Sequence, residues 1–276
     1  MCETLDISRS TYYDWLERPI TSREEEDLIL SQKIKKIFFE SDRSYGHRRI
    51  KKQLRKKSVK CSNDRVRRLM KENNWVPVQT RKFKATTNSK HSLPVAPNLL
   101  KQNFKADAPG QKYVGDISYI RTDEGWLYLA TVIDLFSRKV VGWALGARMT
   151  KQLVIDAMNQ SIMHERPSEG LIFHSDRGSQ YASYDFQDLL RDNGIQQSMS
   201  AKGDVYDNAC AESFFATIKK EVIYRRKFKT RSQAKLAIIN YIIIWYNSKR
   251  IHSYLNDLSP MEFEQQYYKA LQSSAA

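Results

Sequence analysis

The chain has 276 residues, 41% of them hydrophobic and 28% charged, with a net charge of +15, enough for one good core plus smaller units. Its longest apolar run, Leu236 to Tyr246, is broken by Asn240 and falls far short of the roughly 20 residues of a bilayer span, while the start "MCETLDISRS" lacks the basic and apolar blocks of a signal peptide. Three scattered cysteines (Cys2, Cys61, Cys210) without a C-x-x-C pair, and five dispersed histidines, argue against a disulfide framework and a zinc module, and point to a reducing cytoplasm.

In chain order, "LDISRSTYYDWL" (Leu5 to Leu16) reads as the end of a helix-turn-helix, with Ser8 as N-cap and Tyr12, Trp15 and Leu16 on the buried side. Three short helices follow, marked by Leu28, Ile29, Ile34, Ile37 and Phe38, then Ile50 and Leu54, then Val66, Leu69 and Met70. Tyr45-Gly46-His47 breaks the first from the second, and Ser62 caps the third. From Lys33 to Lys90 there are 20 Lys or Arg against four acids, so this stretch holds the whole basic excess. Charge gathered in one place implies a polyanionic partner, most simply nucleic acid. Such a trihelical unit resembles helix-turn-helix modules, whose last helix enters the major groove, and Arg65, Arg68 and Lys71, on or near one side of that helix, are then expected to reach phosphates or guanine edges.

Periodicity disappears between Pro77 and Pro109, a linker rich in Lys, Thr, Asn, Ser and Pro. Strand patterns then begin: "KYVGDISYIRT", "WLYLATVIDLFS" and "KVVGWALGARM", an antiparallel meander turning at Asp123-Glu124-Gly125. A helix (Thr150 to Glu165), a strand (Leu171 to Ser175), a helix (Tyr184 to Asp192) and a strand (Ile195 to Ser200) complete the order of a mixed sheet covered by helices. After the polar loop "AKGDVYDN" comes a helix starting near Asn208, then a long helix from Ser232 to Lys249. Ser259, Pro260 and Glu262 start a last helix with a capping box.

Three acids stand out. Asp116 sits inside the strand "YVGDISY", where a buried carboxylate is costly unless it meets a cation, and the adjacent Gly115 leaves space beside it. Asp176 ends the strand in "LIFHSDRGSQY", where an ordinary turn would also accept an Asp. Glu212 lies in the first turns of "DNACAESFFATIKKE", beside Ala209, Ala216 and Lys219, while Phe215, Ile218 and Val222 pack. Magnesium prefers oxygen ligands and keeps several waters, so two or three converging carboxylates suffice for metal-assisted phosphoryl chemistry. Asp134, in "VIDLFSR", competes with Asp116 for the first place.

Asp176 and Glu212 have 35 residues between them, and the order strand, strand end, late helix resembles the DDE core of retroviral integrases and transposases. "HSDRGSQY", "DNACAESFFATIKKE", "IDLFSRKVVGWA" and "HSYLNDLSPMEFE" together resemble the B-frame transposases of bacterial insertion-sequence family three, and "RSYGHRRI" (Arg43 to Ile50) resembles the helix-turn-helix block upstream of that core. The likeness covers nearly the whole chain and is loosest at "YVGDISY", where the family usually has a tryptophan and a threonine before the Asp. It implies an α/β fold: an RNase H-like mixed sheet with flanking helices, preceded by an all-helical helix-turn-helix region and followed by a helical C-terminal segment. The divisions expected are a helix-turn-helix remnant (1–20), a basic trihelical DNA-binding domain (24–76), a linker (77–109), a catalytic core (110–225) and the C-terminal segment (226–276).

By the same resemblance Asp116, Asp176 and Glu212 are catalytic and hold two Mg2+ ions, with Mn2+ able to substitute. The implied activity is cleavage and strand transfer at the terminal inverted repeats of an insertion sequence, joining one end to the other before integration. Arg48 and Arg49, within the helix-turn-helix block, join Arg65, Arg68, Lys71 and Lys219 as DNA-binding candidates. The partners implied are double-stranded DNA, further copies of the chain on that DNA, and an upstream helix-turn-helix protein joined by a frameshift fusion, the whole acting in the bacterial cytoplasm at the nucleoid. His174, two residues before Asp176, either orients a water or phosphate or is a satisfied structural histidine. Lys219 has a solvated alternative, and Tyr241, Trp245 and Tyr246 read as core. The apolar residues between Ser232 and Lys249 exceed one helical stripe, and the surplus is available to a partner. Two rivals remain: a nuclease of the same fold that cuts without joining, and a non-catalytic DNA-binding regulator.

Overall fold

A computed structural model describes residues 2, 4, 7–78, 93–167, 169–201 and 207–274, without the side chain of Trp15. The start of the Leu5 to Leu16 fragment, the burial of Trp15, residues 79–92 of the linker and the middle of the "AKGDVYDN" loop therefore lie outside the described residues. The chain forms two compact units, Met1–Val78 and Gln79–Ala276.

The first unit is helical: α1 (Arg9–Glu17), α2 (Ser22–Glu40), α3 (His47–Lys56) and α4 (Asn63–Glu72). Hydroxyl caps set three of the starts, since Ser8, Thr21 and Ser62 each accept a backbone N–H three residues on. Its core is Leu30, Ile34, Ile37, Phe38, Tyr45, Ile50, Leu54, Val66, Leu69 and Met70. Two expectations fail here. Leu28 and Ile29 are exposed, because α2 turns Leu30, Ile34, Ile37 and Phe38 inward and that phase leaves their neighbours on the outer face. Leu16 is also exposed, near the end of the short α1.

In the second unit, β1 (Lys112–Thr122), β2 (Gly125–Asp134) and β3 (Val140–Gly146) form the meander. Helix α5 (Lys151–Glu165) leads to β4 (Ile172–Ser175), and α6 (Tyr184–Asp192) leads to β5 (Gln196–Met199). The sheet order is β3-β2-β1-β4-β5, with β1, β4 and β5 parallel. Alternation along β1 divides the core in two. Val114 and Ile120 meet α7 (Ala209–Glu221) and α8 (Arg231–Asn240), while Tyr113 meets the cluster of α5 and α6. The second face is drawn close by Gly142 of β3, where an added Cβ would sit 2.2 Å from the Ala157 carbonyl of α5.

Strand β2 ends at Asp134 and does not continue to Ser137, because Asp134 accepts the Ser137 N–H and hydroxyl (2.8 and 2.7 Å) and turns the chain. The segment read as one helix from Ser232 to Lys249 is α8 followed by a π-helical turn, Tyr241–Asn247. The turn delivers Asn247, whose amide pairs with both the N–H and the C=O of Val140 (3.0 Å each) and occupies part of the exposed edge of β3. Helix α9 (Pro260–Ser274) begins with reciprocal Ser259 and Glu262 bonds, the expected capping box. Within the stretch read as linker, residues 93–109 contain no helix or strand but lie on the core: Leu100 is buried, and the Leu99 and Leu100 N–H groups bond Ser198 Oγ (2.9 and 3.3 Å).

Candidate active site

Asp116 lies in mid-β1, opposite Thr131 of β2, on the sheet face covered by α7 and α8. Asp176 directly follows the end of β4, the strand next to β1, and Glu212 is in the first turn of α7. The three thus come from elements that meet around β1. Asp116 Oδ1 accepts the Ile117 N–H (2.7 Å), and Asp176 Oδ1 accepts the Gly178 N–H (2.9 Å). Gly178 suits that turn, since an added Cβ would stand 3.0 Å from the same oxygen. Burial, then the charge of Asp176, and less strongly that of Glu212, push the Asp116 carboxyl up to about 8, against the Ile117 N–H and Lys219. Glu212 is exposed, though partial desolvation raises its carboxyl. Among the described residues, no three His, Cys, Asp or Glu side chains are gathered tightly enough to hold an ion as they stand.

Gly115 does not provide the open space expected beside Asp116. Neighbours along a strand face opposite ways, and an added Cβ at Gly115 would lie 2.4 Å from Phe173 Cζ, so the glycine admits the Phe173 ring on the far face. Lys219 is buried, with its ammonium 5.4 Å from the Tyr119 ring centre. Burial lowers its pKa, and Asp116 opposes that shift. The solvated alternative for Lys219 is thereby removed.

Asp134 is fully engaged elsewhere. It is buried, and besides Ser137 it accepts the Gly110 N–H (3.3 Å). His174 is satisfied too: Nδ1 meets Ser198 Oγ (2.8 Å) and Nε2 meets Ser200 Oγ (3.2 Å). Burial lowers its pKa to about 4, so the ring is neutral at pH 7 and ties β4 to β5. Tyr241 and Tyr246 are core, as expected. Two atoms near Asp116 escaped sequence reasoning. Among the described residues, Thr131 Oγ1 and Asn208 Oδ1 are buried without a hydrogen-bond partner, and the Asn208 amide donates to the Gly115 carbonyl (3.2 Å). Only the register of β1 on β2 and the approach of α7 bring these residues to Asp116, and neither is visible in local sequence.

In the first unit, Arg65 and Arg68 are turned towards the acids of α2. Arg65 bonds Asp27 (2.6 Å) and Glu26 (3.0 Å), and Arg68 bonds Asp27 and Glu72. Burial opposes ionisation of Asp27, but the Arg68 and Arg65 bonds outweigh it and hold the carboxyl below its usual range. Arg49 stacks over Tyr45 (5.5 Å). Arg48, Arg67 and Lys71 are exposed, and among the described residues no ion pair engages them. Arg67 was not singled out in the sequence; its position four residues before Lys71, on the same helical face, is the signal that finds it.

Family models described as integrase core domains match residues 106–205 and 212–268, and one described as an HTH-like domain matches residues 24–83. Transposase InsF of insertion sequence IS3A from Escherichia coli K12 is 41% identical, over 96% of this chain and 92% of that protein. The chain belongs to the IS3 insertion-sequence transposases. The uncharacterized 31 kDa protein of insertion element IS600 from Shigella sonnei is 43% identical to this transposase, over 98% of this chain and 99% of that one. Among solved structures, the catalytic core domain of HTLV-2 integrase in complex with magnesium aligns at TM-score 0.47 and 17% identity, over 58% of this chain and 99% of that one. The transposase thus has an HTH-like region, an integrase core with a five-stranded mixed sheet flanked by helices, and C-terminal helices. Among the described residues, no helix is long and apolar enough to cross a membrane.

Proposed function

We propose that this transposase cleaves and joins phosphodiesters at the terminal inverted repeats of its own element, with Asp116, Asp176 and Glu212 as the acids that hold two Mg2+ ions, Mn2+ substituting. The observation that supports this reading is the placement of the three acids: Asp116 in mid-β1, Asp176 directly after the neighbouring β4, and Glu212 in the first turn of α7, which packs on the same face as Asp116. The chemistry of the donor set suits such ions, which would draw the three side chains closer than they stand. It offers hard carboxylate oxygens, with two buried oxygens on the neighbouring strand and helix that have no partner among the described residues, and Mg2+ is usually held by one or two carboxylates and several waters. When bound, the ions supply an activated water or 3′-hydroxyl and stabilise the leaving 3′-oxygen of an in-line displacement. Asp116 and Asp176 are fixed for this role by backbone N–H groups on one carboxylate oxygen each. Lys219 contributes a cation on the same α7 that carries Glu212, in the electrostatic reach of Asp116, to steady the acids or a DNA phosphate.

Strand transfer requires two ends held at once, so we place a second copy of the chain on the DNA. Leu236, Ile243 and Ile244, exposed on α8 and the π-helical turn, are the surface offered to it. A duplex carrying one element end, incubated with the chain and Mg2+, will yield joined products, and light scattering of the same mixture will show more than one copy. Nicks without joined products select the nuclease reading, retention alone selects the regulator, and a strictly monomeric complex removes the second copy.

DNA grip in the first unit is assigned to Arg48, Arg49, Arg67 and Lys71, with Arg65 and Arg68 as braces between α4 and α2. Arg67→Ala and Lys71→Ala will leave the unit's melting temperature unchanged and lower the slope of log affinity on log salt by about 1 each. Arg65→Ala, which strips charged bonds from Asp27, will cost about 1.5–3 kcal/mol of stability. Weaker DNA binding by folded Arg65→Ala with no change for Arg67→Ala would return the grip to Arg65 and Arg68.

A further inference from the structure

We propose that Thr131 and Asn208 are positioning residues of the metal site, their Oγ1 and Oδ1 accepting hydrogen bonds from the water carried by a divalent cation at Asp116. This rests on the reading of Asp116 as a cation-holding acid. Thr131 is 1% exposed and Asn208 7%. Among the described residues, their oxygens are the two buried side-chain N or O atoms left without a hydrogen bond. Leaving a buried polar atom unpaired is costly, and native cores rarely do so without a reason.

Both residues adjoin the same acid. Thr131 is the cross-strand partner of Asp116, so the two side chains leave the sheet on one face. Asn208 donates its amide to the carbonyl of Gly115, the peptide group that links Gly115 to Asp116. That bond also fixes the amide's orientation, because only the NH2 end can face a carbonyl; Oδ1 must point elsewhere. Asn208 occupies the N-cap of α7, where an Asn ordinarily gives its oxygen to the first-turn N–H groups. Here the side chain makes no capping bond, so the oxygen is withheld from its common local use.

The ligand chemistry follows from what these atoms can do. The Asn carbonyl oxygen only accepts, and a Thr hydroxyl can accept while turning its hydrogen away. Water on a divalent cation is polarised into a strong donor and a poor acceptor, so groups that orient it must accept. An ordinary buried water would satisfy the same two atoms, but removing them would then leave metal affinity untouched.

Titration of the full chain with Mn2+ alone, following free Mn2+ by electron paramagnetic resonance, separates these cases. Thr131→Val keeps the shape and deletes the hydroxyl; it will weaken Mn2+ binding about 10-fold while the metal-free melting temperature holds or rises. Asn208→Ala will weaken binding similarly. Wild-type Mn2+ affinity in either Thr131→Val or Asn208→Ala removes that residue from the proposal, and in both overturns it. Absence of Mn2+ binding by the wild-type chain, or undiminished binding by Asp116→Asn, is a different result: it overturns the reading of Asp116 itself, and this inference falls with it.

Discussion

Asp116→Asn will abolish strand transfer and, at neutral to alkaline pH, stabilise the metal-free protein. The two effects have one cause, since a carboxylate held among other acids in a half-buried site is useful only with a cation and costly without one. Loss of a metal-holding acid removes several kcal/mol of transition-state stabilisation, roughly a 10³-fold drop in rate. The stability term has a definite sign. The ordinary aspartate value is 3.8, and burial and the neighbouring acids push the folded carboxyl up to about 8. Between those values the folded state binds more protons than the unfolded state, so stability falls as pH rises towards the folded pKa. The asparagine cannot ionise and escapes that loss. Its gain will be absent near pH 4 and largest above pH 8, amounting to roughly 5 °C or more in melting temperature.

Asp176→Asn and Glu212→Gln will share the loss of strand transfer. Glu212→Gln will change stability little, because that side chain is exposed. Asp134→Asn provides the contrast: it weakens the bonds that end β2, so stability falls while strand transfer survives at temperatures where the chain stays folded. Strand transfer and pH-dependent melting, measured on all four variants, check the assignment. If Asp116→Asn retains near wild-type strand transfer, or melts at the wild-type temperature at both pH 4 and pH 8.5, Asp116 is not the acid it is taken to be.

Much of the architecture was legible because it is locally encoded. Strand β1 occupies the residues of "KYVGDISYIRT", α6 the residues Tyr184–Asp192, and Ser8, Ser62 and Ser259 cap where hydroxyls precede apolar periodicity. Asp116, Asp176 and Glu212 could be named together because the 35 residues between the last two and the surrounding motifs resemble the family's core; each acid alone reads as an ordinary strand, turn or helix residue. What escaped depends on contacts between distant residues. Nothing near Arg65 announces that Asp27, 38 positions earlier, will draw it towards α2. Gly115 serves Phe173 through the pairing of β1 with β4, so its local reading as open space pointed to the wrong face. The apolar run after Asn240 looked like more α-helix, and the π-helical turn that carries Asn247 to Val140 is set by the edge of β3.

Arg250→Met will destabilise the second unit by about 3–5 kcal/mol, the cost of leaving a buried carboxylate without its cation. Arg250 grips Glu221 through Nε at 3.0 Å and Nη2 at 2.9 Å, and the two side chains are 7% and 10% exposed. The Tyr241 hydroxyl adds a bond to Glu221 at 2.8 Å. Burial works against the Arg250 charge, but Glu221 outweighs it and raises the guanidinium pKa above its ordinary value. Glu221 ends α7, the helix on which Glu212 begins, so the pair fastens the C-terminal segment to the element that carries the third acid. Because the penalty belongs to the stranded charge, Glu221→Gln combined with Arg250→Met will recover most of it, and the single variant will cost more than the double. Urea unfolding of the full chain will shift the transition of the second unit and leave that of the first in place. A single variant no less stable than the double would mean that Glu221 finds other support, and the clamp would then contribute little.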